Sequence, residues 1–150
     1  MTEERVTIPL LAWLQNHGWK IICYDFPQSG TGKCLHANES LRSGKNKGVI
    51  IPDIVAYRNG IVTVFENKNR YVASDFDKIN SLRTHNNYSE SFDRLLASYK
   101  VAKICYGVGL PLDSKIKKNI ILNINKIDFA VLVDVKGNID IEYDLNPTLA

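Results

Sequence analysis

The order of the elements expected along the sequence predicts a three-layer α/β protein, with helices on both faces of a mixed β-sheet. Three observations support this. Two apolar runs, residues 49–57 and 61–68, flank an Asn-Gly dipeptide, which is a strong short signal for a β-hairpin. Helical spacing of apolar residues precedes and follows the hairpin. A further apolar run, residues 101–108, leads into a basic amphipathic segment, as in a strand followed by a crossover helix.

The first helix is predicted over residues 7–17, where apolar side chains repeat at helical spacing up to Gly18. Pro9 is best tolerated in a first turn, so the regular helix is expected to begin near residue 7. Residues 19–26, WKIICYDF, are typical of a strand. Residues 27–48 show no periodicity, which predicts a long loop, and such loops are usually functional or mobile.

The elements after the hairpin follow from the same periodicities. They are predicted as helices over 75–83 and 89–100, a strand over 101–108, a helix over 114–126 capped by Asp113, and strands over 129–135 and 138–143. The last two strands are expected to pair as a hairpin over Lys136-Gly137. Without repeats or an internal linker, the 150 residues are interpreted as a single domain spanning 1–150.

The composition is that of a folded protein outside the membrane, with 45% hydrophobic and 23% charged residues. No apolar run approaches the roughly 18 residues that a membrane span needs. The N-terminus, MTEERVTIP, lacks the basic and apolar regions of a signal peptide, so a cytoplasmic location is expected. The three cysteines, Cys23, Cys34 and Cys105, are odd in number and are expected to be reduced thiols.

Positive charge is concentrated in the predicted loop. Four basic residues stand there against one acid, a surplus that equals the formal net charge of +3 of the whole chain. Alone, such a cluster is typical of a solvated loop, but beside a catalytic site it would suit a nucleic-acid backbone. The candidate phosphate-contacting residues are Lys33, Arg42, Lys45 and Lys47, together with Arg70 after the hairpin.

The hairpin places acids where a core strand is usually apolar. With a two-residue turn at Asn59-Gly60, the numbers of opposed residues add to 119, so Asp53 would lie across from Glu66. Strand alternation puts Lys68 on the same face. The opposite face remains free to pack in the core.

Two converging carboxylates repel each other unless a cation lies between them, and their oxygens suit a divalent metal ion. The carbonyl of Asn67 would be a further ligand. Lys68 could orient or deprotonate a water molecule, or stabilise developing negative charge. The plainer alternative is that Asp53 and Glu66 are rim residues and that Lys68 neutralises one of them.

These residues resemble the PD-(D/E)XK nuclease superfamily. The resemblance covers about residues 3–70 and is greatest to the nuclease domains of type I restriction subunits, with some similarity to archaeal Holliday-junction resolvases. The matching features are Pro52-Asp53, Glu66-Asn67-Lys68, an acid before a helix that ends in Gly18-Trp19, and Ser29-Gly30 in the loop. The glutamine motif that many type I domains carry on the next helix has no counterpart here.

The resemblance implies a restriction-endonuclease-like fold and Mg²⁺-dependent hydrolysis of DNA phosphodiesters, with Mn²⁺ as a possible substitute. It implies Asp53 and Glu66 as metal ligands and Lys68 as the catalytic lysine, and it maps the helix-1 acid to Glu4 or, one residue earlier, Glu3. A homodimer is expected, since such enzymes often cut both strands. The alternatives are a junction-specific nuclease and an inactive DNA-binding module with the same fold.

Overall fold

The computed structural model of the protein describes residues 1–33, 35–39, 48–146 and 149. It is an α/β structure built on one six-stranded mixed sheet, whose strands lie in the order β1-β2-β3-β4-β5-β6. The strands are β1 (Lys20–Tyr24), β2 (Ile54–Arg58), β3 (Ile61–Asn67), β4 (Lys103–Pro111), β5 (Phe129–Val133) and β6 (Ile139–Asp144). The helices are α1 (Glu3–Asn16), α2 (Ala73–Thr84), α3 (Ser89–Leu95) and α4 (Ser114–Leu122), followed by a 3₁₀ turn at Ile124–Lys126.

The sheet is antiparallel at its edges and parallel in its centre. Strand β3 pairs with β4, and β4 with β5, in parallel, whereas the other three pairings are antiparallel. Each parallel pair is connected through helices, as parallel strands require. The predicted fold class is therefore confirmed at the level of a mixed sheet with helices on both faces.

Two apolar cores cover the two faces of the sheet. Helix α1 contributes Val6, Leu10 and Leu14 to one core, where they meet side chains of β2, β3 and β5. Helices α2, α3 and α4 pack on the other face. Within the described residues, no helix is both long and apolar enough to cross a membrane.

Helix α1 begins four residues before the predicted start. It runs from Glu3, with the Thr2 hydroxyl accepting a hydrogen bond from the Arg5 N–H, and it contains Pro9 in its interior. A proline there removes the hydrogen bond to the carbonyl four residues earlier, that of Arg5. Because Arg5 is exposed, solvent can satisfy that carbonyl, and the helix tolerates the proline.

The hairpin confirms the predicted turn and register. Asn59 and Gly60 have φ values of 50° and 85°, as a type I′ turn requires, and Arg58 pairs with Ile61. However, β2 begins at Ile54 and not at residue 49. The chain before it contains buried Pro52, which has no N–H to donate to a neighbouring strand.

Other boundaries of the helices and strands also differ from the prediction. Helix α3 ends at Leu95 because the chain turns there to enter β4, with the Ala102 N–H bonding the Gly60 carbonyl. Strand β4 extends to Pro111, three residues beyond the prediction. The predicted cap of α4 is confirmed, since the Asp113 carboxylate accepts hydrogen bonds from the Lys115 and Ile116 N–H groups.

Candidate active site

The site lies where β2 begins and β3 ends. Continuing the hairpin register would direct the Asn67 N–H to the carbonyl of Pro52. Instead, that N–H donates to Asp53 Oδ2 at 2.7 Å, while the Asp53 N–H bonds the Phe65 carbonyl at 3.1 Å. The predicted direct opposition of Asp53 and Glu66 is thus replaced by a local irregularity. In it, the Asp53 carboxylate accepts the hydrogen bond that the Pro52 carbonyl would otherwise accept.

Two lysines and a second acid surround Glu66. Its Oε1 lies 3.5 Å from Lys78 Nζ and 4.0 Å from Lys68 Nζ. Lys68 Nζ is also 3.7 Å from Glu3 Oε1, at the first turn of α1. The end of β3, the start of α1 and helix α2 therefore converge on one point.

Only the ends of the hairpin strands carry this polar cluster. The face of the hairpin that bears Glu66 also bears Val55, Val62 and Val64, which pack in the core beneath α2. The other face packs against α1, as predicted. Both faces of the strand interiors thus pack in the cores, and the polar cluster lies at the strand ends.

Burial raises the pKa of Asp53 from its ordinary value of 3.8 to about 8. The negative charges of Glu66 and Glu3 push in the same direction, and the Asn67 hydrogen bond and the Lys68 charge only partly offset them. In the protein without a bound cation, Asp53 is therefore protonated over most of the neutral range.

Burial is also the main cause that raises the pKa of Glu66, with the Asp75 carboxylate adding to it and Lys78 and Lys68 opposing it. For Lys68, burial lowers the pKa, but the surrounding acids, led by Asp75, outweigh that effect and raise it overall. Lys68 is consequently a stable ammonium cation in this environment.

Sequence reasoning missed Asp75. It stands in the first turn of α2, interacts electrostatically with both Glu66 and Lys68, and its Oδ2 is buried without a hydrogen-bond partner among the described residues. Phe76 and Ile79 point into the core, so Asp75 and Lys78 each precede an inward residue of α2. Asp75 and Lys78 are three residues apart and therefore lie on the same face of α2, which is the signal that the sequence contains.

The other predicted residues are distributed differently. Glu4 is exposed and lines a depression with Met1 and Val135, whereas the acid of α1 that contacts Lys68 is Glu3. Lys33 is exposed along the α1 and β1 edge, and Arg70 is exposed just beyond β3. Three of the predicted phosphate contacts lie outside the described residues, namely Arg42, Lys45 and Lys47.

The charge balance and donor set of the cluster fit one divalent cation. Within the described residues, four carboxyl groups interact with Lys68, and Lys78 pairs with one of them. Ionisation of all four would leave two negative charges in surplus: Glu3, Asp53, Glu66 and Asp75 against Lys68 and Lys78. No three His, Cys, Asp or Glu side chains within the described ranges form a ready-made metal cage. Two carboxylates and few other ligands are what Mg²⁺ usually takes from proteins, because it keeps several water molecules.

The Asn67 carbonyl is placed to join that donor set. In an extended strand the N–H and C=O of one residue point to the same side. Since the Asn67 N–H points to Asp53 and the next N–H, of Lys68, bonds the Gly109 carbonyl on the other side, the Asn67 carbonyl is directed toward β2.

Searches against models of known protein families and against curated protein sequences find no match to this chain. Its function is therefore inferred from the fold, the site and the sequence motifs.

Proposed function

We propose that this protein is a metal-dependent endonuclease that hydrolyses DNA phosphodiester bonds, with a restriction-endonuclease-like fold of the PD-(D/E)XK kind. The Pro52-Asp53 and Glu66-Asn67-Lys68 motifs support the proposal because they meet at the ends of two adjoining strands. The mixed sheet with α1 on one face and α2 on the other is compatible with that fold.

One observation supports the proposal most. Asp53 and Glu66 are both substantially buried, both have raised pKa values, and burial is the leading cause for each. Keeping two such carboxyl groups together destabilises a fold unless a cation compensates for them. The nearby lysines leave the pKa values of both groups raised, so the compensation that they provide is incomplete.

Asp53, Glu66 and the Asn67 carbonyl would hold the ion, which we propose is Mg²⁺, with Mn²⁺ as a substitute. When bound, such an ion polarises a phosphoryl oxygen and makes a coordinated water more acidic. The hydrogen bond from the Asn67 N–H fixes the Asp53 carboxylate through Oδ2 and leaves Oδ1 for the ion.

Lys68 acts in this proposal as a cation and hydrogen-bond donor. The acids around it raise its pKa, which disfavours the neutral amine that a general base requires. Its ammonium group would therefore bind a non-bridging phosphate oxygen and stabilise the negative charge that develops there. Glu3 would position Lys68 through their 3.7 Å ion pair.

The test is cleavage of supercoiled plasmid DNA with Mg²⁺ or Mn²⁺ by the wild-type protein and the Glu66→Gln variant. The control is Glu142→Gln, because Glu142 is also a half-buried glutamate paired with a helix lysine, Lys117, at 3.7 Å. Wild type and Glu142→Gln are expected to nick or linearise the plasmid, and Glu66→Gln to lose at least about 100-fold in rate.

Other outcomes, with added measurements of DNA binding and of junction cleavage, separate the alternatives. Cleavage by Glu66→Gln at the wild-type rate would show that the site is assigned wrongly. DNA binding without cleavage by the wild type would favour the inactive-module alternative. Preferential cutting of four-way junctions over linear duplex would identify a junction nuclease, and sedimentation of the active species would test the proposed homodimer.

A further inference from the structure

The contact between Lys78 and Glu66 has no role in the function proposed above. At 3.5 Å it is the shorter of the two lysine contacts to Glu66 Oε1, and Lys78 comes from α2 rather than from the motif strand. The Glu66 side chain is 14% exposed, whereas that of Lys78 is 41% exposed. A mostly buried acid is therefore paired with a lysine whose side chain is much more exposed.

The two lysines differ in what else holds them. Lys68 has a second anion, Glu3, within 3.7 Å. Among the described residues, Glu66 is the acid that lies within 4 Å of Lys78. Lys78 is thus the cation that can leave Glu66 by a change of side-chain rotamer, because its long stem already extends toward solvent.

A divalent cation on Glu66 would compete with Lys78 for the same oxygen. Both are attracted to Oε1, and like charges held within a few ångströms of each other repel strongly where burial limits solvent screening. Binding of the ion would therefore expel the Lys78 ammonium into the entrance of the site. A released ammonium beside a bound cation is well placed to bind a phosphate oxygen.

We propose that Lys78 is an exchangeable counter-ion of Glu66: it neutralises the acid in the metal-free protein, a divalent cation displaces it, and the freed ammonium binds the nucleic-acid backbone. This inference rests on the proposed metal-dependent nuclease function. It specifies how binding of the metal ion and binding of the nucleic acid are coupled. Metal binding strengthens nucleic-acid binding, and by linkage nucleic acid strengthens metal binding to the same extent.

The first experiment titrates Mn²⁺ alone into the protein by isothermal calorimetry, with no nucleic acid present. Removing the competitor in Lys78→Met should tighten Mn²⁺ binding about three- to tenfold, the range expected for loss of a partly exposed ion pair near a cation. Lys78→Arg keeps the charge and should stay within about twofold of wild type. The matched control is Lys117→Met. Lys117 is also 41% exposed and paired with acids, but those acids lie on β6, away from the site.

The results separate this inference from the function on which it rests. Mn²⁺ binding by wild type and Lys78→Met with equal affinity would overturn the exchange while leaving the metal site intact. No Mn²⁺ binding by either protein would overturn the metal site and the exchange together. Tighter binding by Lys117→Met as well would show a general charge effect and would also overturn the exchange.

The second experiment measures binding of a fluorescent DNA duplex by anisotropy, in EDTA and in Ca²⁺. Ca²⁺ should increase the affinity of the wild-type protein for the duplex. In Lys78→Met the increase should be smaller by a factor of about three or more, as expected for the loss of one phosphate contact. An increase of the same size in both proteins would overturn the phosphate-binding half of the inference.

Discussion

Replacing Asp53 by asparagine should stabilise the metal-free protein, because the native carboxyl group is held in an environment that disfavours its ionised form. Burial, Glu66 and Glu3 raise the pKa of Asp53 to about 8. The amide of Asn has nearly the same shape, and its oxygen can still accept the hydrogen bond from the Asn67 N–H.

The sign follows from linkage. In the unfolded chain Asp53 ionises near its ordinary value of 3.8, whereas in the folded protein it keeps its proton up to about pH 8. The folded state binds more protons between these values, so wild-type stability falls as the pH rises from about 4 to about 8. Asparagine removes this loss, and the advantage of Asp53→Asn should grow across that window and level off above it.

The magnitude is a few kcal/mol. The pKa of Asp53 rises from 3.8 to about 8, which corresponds to at most about 6 kcal/mol in the free energy of unfolding at 1.36 kcal/mol per unit. Because Asp53 lies at a strand end and is coupled to Glu66, solvent relaxation reduces this, and we expect about 2–4 kcal/mol at pH 9. With a urea m-value of about 2 kcal/mol/M, the midpoint should rise by roughly 1–2 M.

Urea unfolding followed by circular dichroism at pH 4, 6, 7.5 and 9, in EDTA, measures this. The control is Asp134→Asn, because hydrogen bonds from Asn138 and the Lys136 N–H lower the pKa of Asp134, the opposite direction. Asp134→Asn should not stabilise the protein at any of these pH values. Equal or lower stability of Asp53→Asn at pH 9 would refute the account of the buried acid.

Two further predictions concern residues around the site. Gly109→Ala should destabilise the protein by about 1–3 kcal/mol in urea unfolding, because a Cβ there would collide with Asn67 Oδ1 beneath α1, and unchanged stability would contradict that packing. Asp75→Asn should lower the pKa of Lys68, seen as faster acylation of Lys68 at a given pH by mass spectrometry. Asp77→Asn on the same helix should leave the acylation rate of Lys68 unchanged. Equal acylation rates in Asp75→Asn and wild type would contradict the role of Asp75.

The parts of the fold governed by local rules were predictable from the sequence. The Asn59-Gly60 turn and its register depend on the φ values of two residues, and both were confirmed. The Asp113 cap depends on one side chain and two neighbouring N–H groups. Such features need no knowledge of distant parts of the chain.

Boundaries that depend on the surroundings were predicted wrongly. Whether a helix can continue through Pro9 depends on the surroundings of the carbonyl that loses its hydrogen bond. Here that carbonyl belongs to exposed Arg5. The start of β2 depends on the Asp53 side chain competing with the backbone for the Asn67 N–H. Periodicity contains neither kind of information.

The site was predictable only where it is encoded along the hairpin. The pairing of Ile54 with Phe65 brings Asp53 and Glu66 to the same end of the hairpin, although the directly opposed arrangement that the register predicts is not formed. Asp75 and Lys78 reach the site through the packing of α2 on the sheet, a tertiary contact that the helical period could only suggest. The choice between Glu3 and Glu4 likewise required the true start of α1.

We propose that Asp53 and Glu66 hold a divalent cation. The most direct test is anomalous X-ray scattering from crystals equilibrated with Mn²⁺. We predict one strong peak within about 2.3 Å of carboxylate oxygens of both residues and near the Asn67 carbonyl, with Lys78 withdrawn from Glu66. If crystals at saturating Mn²⁺ show no peak between these carboxylates and Lys78 remains on Glu66, the proposed metal site is wrong.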